Sequence, residues 1–189
     1  MGFLKKLFGN VEKANKGEIP AEEIVPPFTN DLAEEADDYW RQMEQNLLIN
    51  VVKAAGGPES VEHAFVLANF KENQETFELF YQVNGQLLSW REMDATVVDK
   101  ISNQLLPQAP GVARAVNENY EEAKVPVIEY AMLQFETATM AWFGRKLTTA
   151  SPEAQLTFEE LVSGWRAILE QEVPNRPLDS DRPFPYFEV

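Results

Sequence analysis

The side chains most able to do chemistry in this sequence are one histidine and a large set of carboxylates. His63 is the only imidazole, and the chain has no cysteine. It lies among Val61, Phe65 and Leu67, with no nucleophile elbow or metal-binding spacing around it. A histidine in such an apolar stretch is more often structural than catalytic, so we interpret His63 as a structural residue.

Paired carboxylates are the second source of chemistry, because a glycoside hydrolase needs only two of them. Glu129 with Glu136, or Glu78 across a sheet, are the pairs that the sequence offers. Acidic residues are so abundant here that solvated strand and helix faces explain them better. Neither 31–44 nor 179–188 has the glycine and spacing of a calcium loop. The sequence therefore predicts a protein that is not an enzyme, with no cofactor and no metal.

The net charge limits the classes of partner. The chain of 189 residues has 31 acidic and 16 basic residues, which gives a formal net charge of -15. Binding to DNA or RNA requires lysine and arginine to neutralise phosphates, so no nucleic acid is expected as a ligand. A basic protein surface is the natural complement of such a charge.

The predicted partner-binding surface is mainly acidic. Its densest run lies at the start of the first predicted helix, where several unit charges would speed the approach of a basic partner. A helix dipole also favours acids at that position, so the competing interpretation is that the run is an ordinary solvent-exposed helix N-terminus with no binding role. A second set lies on the outer face of a helix predicted over 111–124. The acidic candidates are Glu34, Glu35, Asp37, Asp38, Glu118, Glu121 and Glu122.

Tryptophans supply the candidate apolar anchor. Trp90 lies at a predicted strand end beside Arg91, and we predict that it anchors an interface. Trp40, Trp142 and Trp165 are predicted to form the core between sheet and helices.

Hydrophobic periodicity places these residues on alternating helices and strands. A helix is predicted from Asp31 to the Gly56-Gly57-Pro58 stop, followed by strands over 61–70 and 76–83. Asn84-Gly85 predicts a type I′ hairpin turn into a short strand over 86–90. Asp94 is predicted to cap the next helix, which Pro107 and Pro110 should break.

The remaining elements complete an α+β fold. Strands are predicted over 127–136 and 140–147, and the Thr157/Glu160 capping box predicts a last helix. We expect an antiparallel sheet of about five strands, a three-strand meander plus a hairpin, packed against helices on one face.

The chain is predicted to hold one domain. Residues 1–30 are interpreted as an N-terminal segment and linker, 31–172 as a single α+β domain, and 173–189 as an extended C-terminal tail. The tail is expected to dock by Phe184, Tyr186 and Phe187. No secretory signal or membrane span is recognised, and the lack of cysteine favours a cytoplasmic location. On a helix, the apolar residues between Phe3 and Phe8 would share one face, but so short a helix is marginal alone.

The arrangement of elements over 31–147 resembles the YezG-like family of bacterial immunity proteins. An opening helix ends at a proline turn, paired strands follow, a short strand leads into a helix, and a hairpin closes the pattern. The segments that carry the resemblance are Gly56-Gly57-Pro58, 65–67, 77–81, 87–94, 128–135 and 140–143.

The resemblance implies an immunity protein, or antitoxin, that works by occlusion. An acidic surface would bind a basic toxin, such as a nuclease, and block its substrate groove without a cofactor. The same order of elements is also similar to small acidic secretion chaperones, which dimerise and hold an unfolded segment in apolar grooves. The sequence also leaves open a homodimer and a hydrolase with paired carboxylates.

Overall fold

The computed structural model describes residues 31–175 and 183–186. The predictions for the segment 1–30, including its apolar face between Phe3 and Phe8, and for Phe187 lie outside these described residues.

Helix α1 spans Asp31–Ala54, as its apolar spacing predicts. Its inner face buries Trp40, Leu48 and Val51. The helix ends where Gly56 and Gly57 adopt positive φ angles of 104° and 106°, and the Gly57 amide donates to the Val52 carbonyl at 2.9 Å. Glycine adopts such angles without a steric cost, which explains why the helix stops there.

Five antiparallel strands form one sheet in the order β3-β2-β1-β4-β5. Asn84 and Gly85, with φ angles of 51° and 74°, form the predicted hairpin turn between β2 and β3. The α+β fold class, with its meander and hairpin, is confirmed. The strands are β1 His63–Asn69, β2 Thr76–Val83, β3 Gln86–Ser89, β4 Ile128–Glu136 and β5 Ala141–Thr148.

A nearly continuous helical path joins β3 to β4. After a 3₁₀ turn, α2 (Ala95–Lys100) begins where the Asp94 carboxylate accepts from two backbone amides, as predicted. A π-helical segment and a second 3₁₀ turn then lead into α3 (Ala109–Glu122). Pro107 and Pro110 do not break this path, because each lies in a first turn, where its missing N–H has no helical partner.

Helix α4 (Phe158–Glu172) corrects the expectation that the helices cover one face only. The Thr157/Glu160 capping box opens it as predicted, but α4 packs on the sheet face opposite α1 and α3. In β1, Val66 packs in the α1 and α3 core, whereas Phe65 packs in the α4 core. A central strand that is apolar on both faces needs cover on both, so the sheet lies between two helical layers.

The residues after α4 contribute to this second core. A 3₁₀ turn, Val173–Asn175, continues the helix and buries Val173. Phe184 is 1% exposed on the same sheet face, and Tyr186 is partly buried beside it. The tail expected over 173–189 therefore supplies core residues at two of its described positions.

Among the described residues, no helix combines the length and apolar character that a bilayer span requires.

Candidate functional site

A tyrosine–aspartate hydrogen bond joins the two acidic segments that the sequence singled out. Helices α1 and α3 pack against each other, and the hydroxyl of Tyr120 near the end of α3 donates to Asp37 Oδ1 near the start of α1 at 2.6 Å. The start of α1 and the end of α3 therefore lie together. We call this region the acidic end. Its exposed carboxylates are Glu34, Glu35, Asp38, Glu118, Glu121 and Glu122.

Lys146 of β5 completes the junction. Its ammonium donates to Asp37 and, at 2.9 Å, to the Tyr120 hydroxyl. Burial alone would raise the pKa of Asp37, but the hydrogen bonds from Lys146 and Tyr120 outweigh it and hold that pKa below its ordinary value. The pKa of Tyr120 is raised mainly by burial and to a smaller extent by the hydrogen bond to Asp37. The junction is thus an ionised aspartate held by a cation and a neutral phenol.

This hydrogen bond yields a stability prediction. We expect Tyr120→Phe to lower the free energy of unfolding by about 1–2 kcal/mol, since it removes a bond to a charged acceptor that braces α1 against α3. Urea unfolding measures the change. Tyr39→Phe is the matched control, because Tyr39 is partly buried on α1 and makes no such bond among the described residues. An equal loss in both variants would contradict the assigned role.

Glu44 is a functional candidate that the sequence pattern did not indicate. It lies on the inner face of α1 and is only 7% exposed. Burial raises its pKa to about 7, although a hydrogen bond from Trp40 and the charge of Lys146 both act to lower that pKa. Its carboxyl packs on Gly144 of β5, where an added Cβ would lie 2.8 Å from Glu44 Cδ. The spacing within α1 could have indicated an inward position, but a glutamate there is normally assigned to solvent.

A groove runs between α1 and the edge strand β5. At its polar part, an open cleft of about 230 Å³ is lined by the Asp37–Lys146 pair, Arg41, Glu44 and Gly144. At its apolar part, a second hollow of about 200 Å³ is lined by Leu48, Ile49, Phe135, Met140 and Trp142, with Gln45 beside them. We call the whole the α1–β5 groove.

The apolar part of the groove exposes large side chains beside an open sheet edge. Met140 is 57% exposed and Trp142 is 41% exposed. Within residues 31–175 and 183–186, the outer edge of β5 pairs with no further strand. An open edge next to an exposed tryptophan can accept an extended segment of another chain.

The structure reverses two of the tryptophan predictions. Trp90 is 6% exposed with the Arg91 guanidinium 4.4 Å above its ring, so it is not available as the exposed anchor predicted for it. Trp142, predicted to lie in the core, is exposed in the groove, whereas Trp40 and Trp165 are buried as predicted.

The candidate catalytic carboxylate pairs do not converge. Glu78 holds Arg91 at 2.6 Å, and Glu129 holds Lys71 at 3.2 Å. In the strand register, Glu136 lies opposite His63 at the start of β1, whereas Glu78 lies opposite Leu67 towards the end of that strand. No group of three or more histidine or acidic side chains in the described parts of the chain could hold a metal ion.

No protein-family model matches the chain. No curated protein matches it significantly. The functional assignment therefore rests on the acidic end and the groove themselves.

Proposed function

We propose that this chain is a non-enzymatic protein-binding domain that binds a basic partner through the acidic end and the α1–β5 groove. In its specific form, the proposal is an immunity protein of the YezG-like kind that occludes a basic toxin. The absence of cysteine supports a cytoplasmic location for this activity.

The observation that carries the proposal is the placement of Glu118 and Glu122. They lie four residues apart near the end of α3, and the described residues supply no ion pair to either. Like charges at this spacing oppose helix formation by about 0.2–0.5 kcal/mol, and a helix dipole disfavours acids at this end. The dipole explains the acids of α1 but not these two, so a cation outside the chain explains them best.

The groove adds the contacts that charge alone does not provide. Exposed charges mainly raise the rate of association, whereas a desolvated apolar contact lengthens the life of a complex. Trp142 and Met140 offer that contact beside the polar cleft that holds Lys146 and Glu44. A basic protein steered by the acidic end would thus be retained in the groove.

The apolar part of the groove also favours a second candidate, the secretion-type chaperone. Such a protein would hold an extended apolar segment along β5 and Trp142, and it would be a dimer. Its complex would resist salt, because apolar burial is not screened. The salt dependence of binding therefore separates the two candidates.

Charge reversal on α3 tests the proposal. We expect Glu118→Lys/Glu122→Lys to leave the fold intact and to change the melting temperature by no more than about 1–2 °C, since cations suit this end of the helix dipole while the like-charge spacing between 118 and 122 remains. Recovery of the basic partner by the tagged full chain from its own cells, at about 50 mM salt, should fall about tenfold.

The matched control is Glu59→Lys/Glu172→Lys, which changes the net charge equally at a position beyond the end of α1 and at the last residue of α4. It should retain the partner. If both double variants lose the partner equally, net charge and not the acidic end is responsible. If the wild type recovers as much partner at about 500 mM salt, and the partner binds as an extended segment, the chaperone function replaces the immunity function as the proposal.

A further inference from the structure

The side-chain amide of Gln134 binds the backbone of the segment 183–186 on the α4 face. Gln134 Nε2 donates to the Phe184 carbonyl at 2.8 Å, and the Phe184 amide donates to Gln134 Oε1 at 2.7 Å. The segment belongs to no helix or strand. Gln134 thus satisfies both main-chain groups of one residue, as a neighbouring strand would, and it is itself 2% exposed.

An aromatic pocket receives the Phe184 ring. The ring meets His63 edge to face at a centroid distance of 5.0 Å and Phe65 at 5.2 Å. Trp165 of α4 belongs to the same cluster, and its ring packs edge-on against Phe65 at a centroid distance of 6.0 Å. This geometry selects a planar ring at that position.

Trp165 also contacts the two residues that follow. Its indole Nε1 donates to the Pro185 carbonyl at 3.2 Å, and its ring stacks with Tyr186 at a centroid distance of 6.3 Å. A proline holds the residue before it extended, so Phe-Pro reaches the pocket with little ordering cost. An aromatic platform that binds an extended proline-containing chain is a general mode of peptide recognition.

A buried polar row lies at the same end of the sheet face. His63 Nδ1 is 2.8 Å from Gln82 Oε1, and His63 Nε2 is 3.6 Å from Glu136 Oε1. These side chains and Gln134 are all buried beside the Phe184 ring and Phe65. Without an incoming peptide backbone, Gln134 would be left unsatisfied at a desolvation cost, which a face built only for packing would avoid.

We propose that this face is a binding site for an extended peptide with a phenylalanine–proline core, and that the chain fills it with its own residues 183–186. A segment of the same chemistry on a partner protein would compete with the internal one for Gln134, the aromatic pocket and Trp165. The site lies on the α4 face, opposite α1 and α3, and does not depend on the function proposed for the acidic end.

The test uses the full chain with Phe184→Ala and a fluorescein-labelled peptide of residues 181–189. An internal segment competes at an effective concentration in the millimolar range. The variant should therefore bind the peptide at least about tenfold more tightly than the wild type, as measured by fluorescence anisotropy. A peptide with alanine in place of its first phenylalanine should not bind. Adding Gln134→Leu should weaken binding by about tenfold.

The proposal is overturned if a folded Phe184→Ala variant, judged by circular dichroism, binds the peptide no better than wild type. It is equally overturned if Gln134→Leu leaves that binding unchanged.

A second design keeps every contact residue. Residues 176–182 are replaced by a specific protease site, the chain is cut, and exchange of the freed segment for the labelled peptide is followed. Exchange supports the site, and a folded, cut protein that takes up no labelled peptide refutes it.

Discussion

Replacing Glu44 by glutamine is expected to remove a large part of the pH dependence of stability. Burial raises the pKa of Glu44 from 4.5 to about 7, so the folded protein favours the protonated carboxyl. Glutamine has nearly the same shape and stays neutral. The variant should therefore behave like the protonated wild type at every pH.

The sign of the effect follows from linkage. A carboxyl whose folded-state pKa is raised stabilises the protein fully below pH 4.5, and this stabilisation is lost as the pH rises through about 7. The full shift would correspond to about 3 kcal/mol, and solvent in the open cleft lowers the expected value to about 2 kcal/mol. Glu44→Gln should gain that amount over wild type between pH 4.5 and pH 8.

Chemical unfolding of both proteins at the two pH values measures this difference. Glu35→Gln on the exposed side of the same helix is the control, and its difference from wild type should change little with pH. A Glu44→Gln advantage of equal size at both pH values would show that folding does not raise the pKa of Glu44.

The second large effect is on the free energy of unfolding, and it should differ between two tryptophans that the sequence placed in the core alike. Trp165 is fully buried, packs edge-on against Phe65 and donates to the Pro185 carbonyl. Trp165→Ala should lower the free energy of unfolding by about 3–5 kcal/mol through the cavity it leaves. Trp142 is 41% exposed, so Trp142→Ala should cost no more than about 1 kcal/mol.

Guanidinium unfolding of the two variants is the measurement, and the identical substitution makes each the control for the other. If the groove binds a partner as proposed, Trp142→Ala should also weaken that complex while the domain stays stable. Comparable stability losses for both variants would mean that Trp142 is packed in the core, contrary to its exposure in the structure.

Local chemistry made much of the fold predictable. The Asn84-Gly85 turn, the Asp94 cap and the Thr157/Glu160 capping box each act over a few residues, and each appears where it was predicted. The bounds of β2, Thr76–Val83, likewise follow from its own residues, although both of its faces are buried. The class of fold follows from these local features because they set the order and type of the elements.

The features that were not predicted depend on contacts between distant parts of the chain. Whether α4 covers the same face as α1 cannot be read from β1, which is apolar on both faces. Glu44 is recognisable only once Gly144 is known to pass beside it. The exchange of roles between Trp90 and Trp142 has the same cause, since the exposure of each side chain depends on which distant residues pack over it.

The position of β1 at the centre of the sheet has a consequence for the speed of folding. Its partner β2 follows it along the chain, so the meander can assemble by a short-range hairpin step. Its other partner, β4, arrives only after α2 and α3 have been traversed, and closing that longer loop costs more chain entropy. We therefore expect the docking of the β4–β5 hairpin, and not the formation of either hairpin, to limit the folding rate.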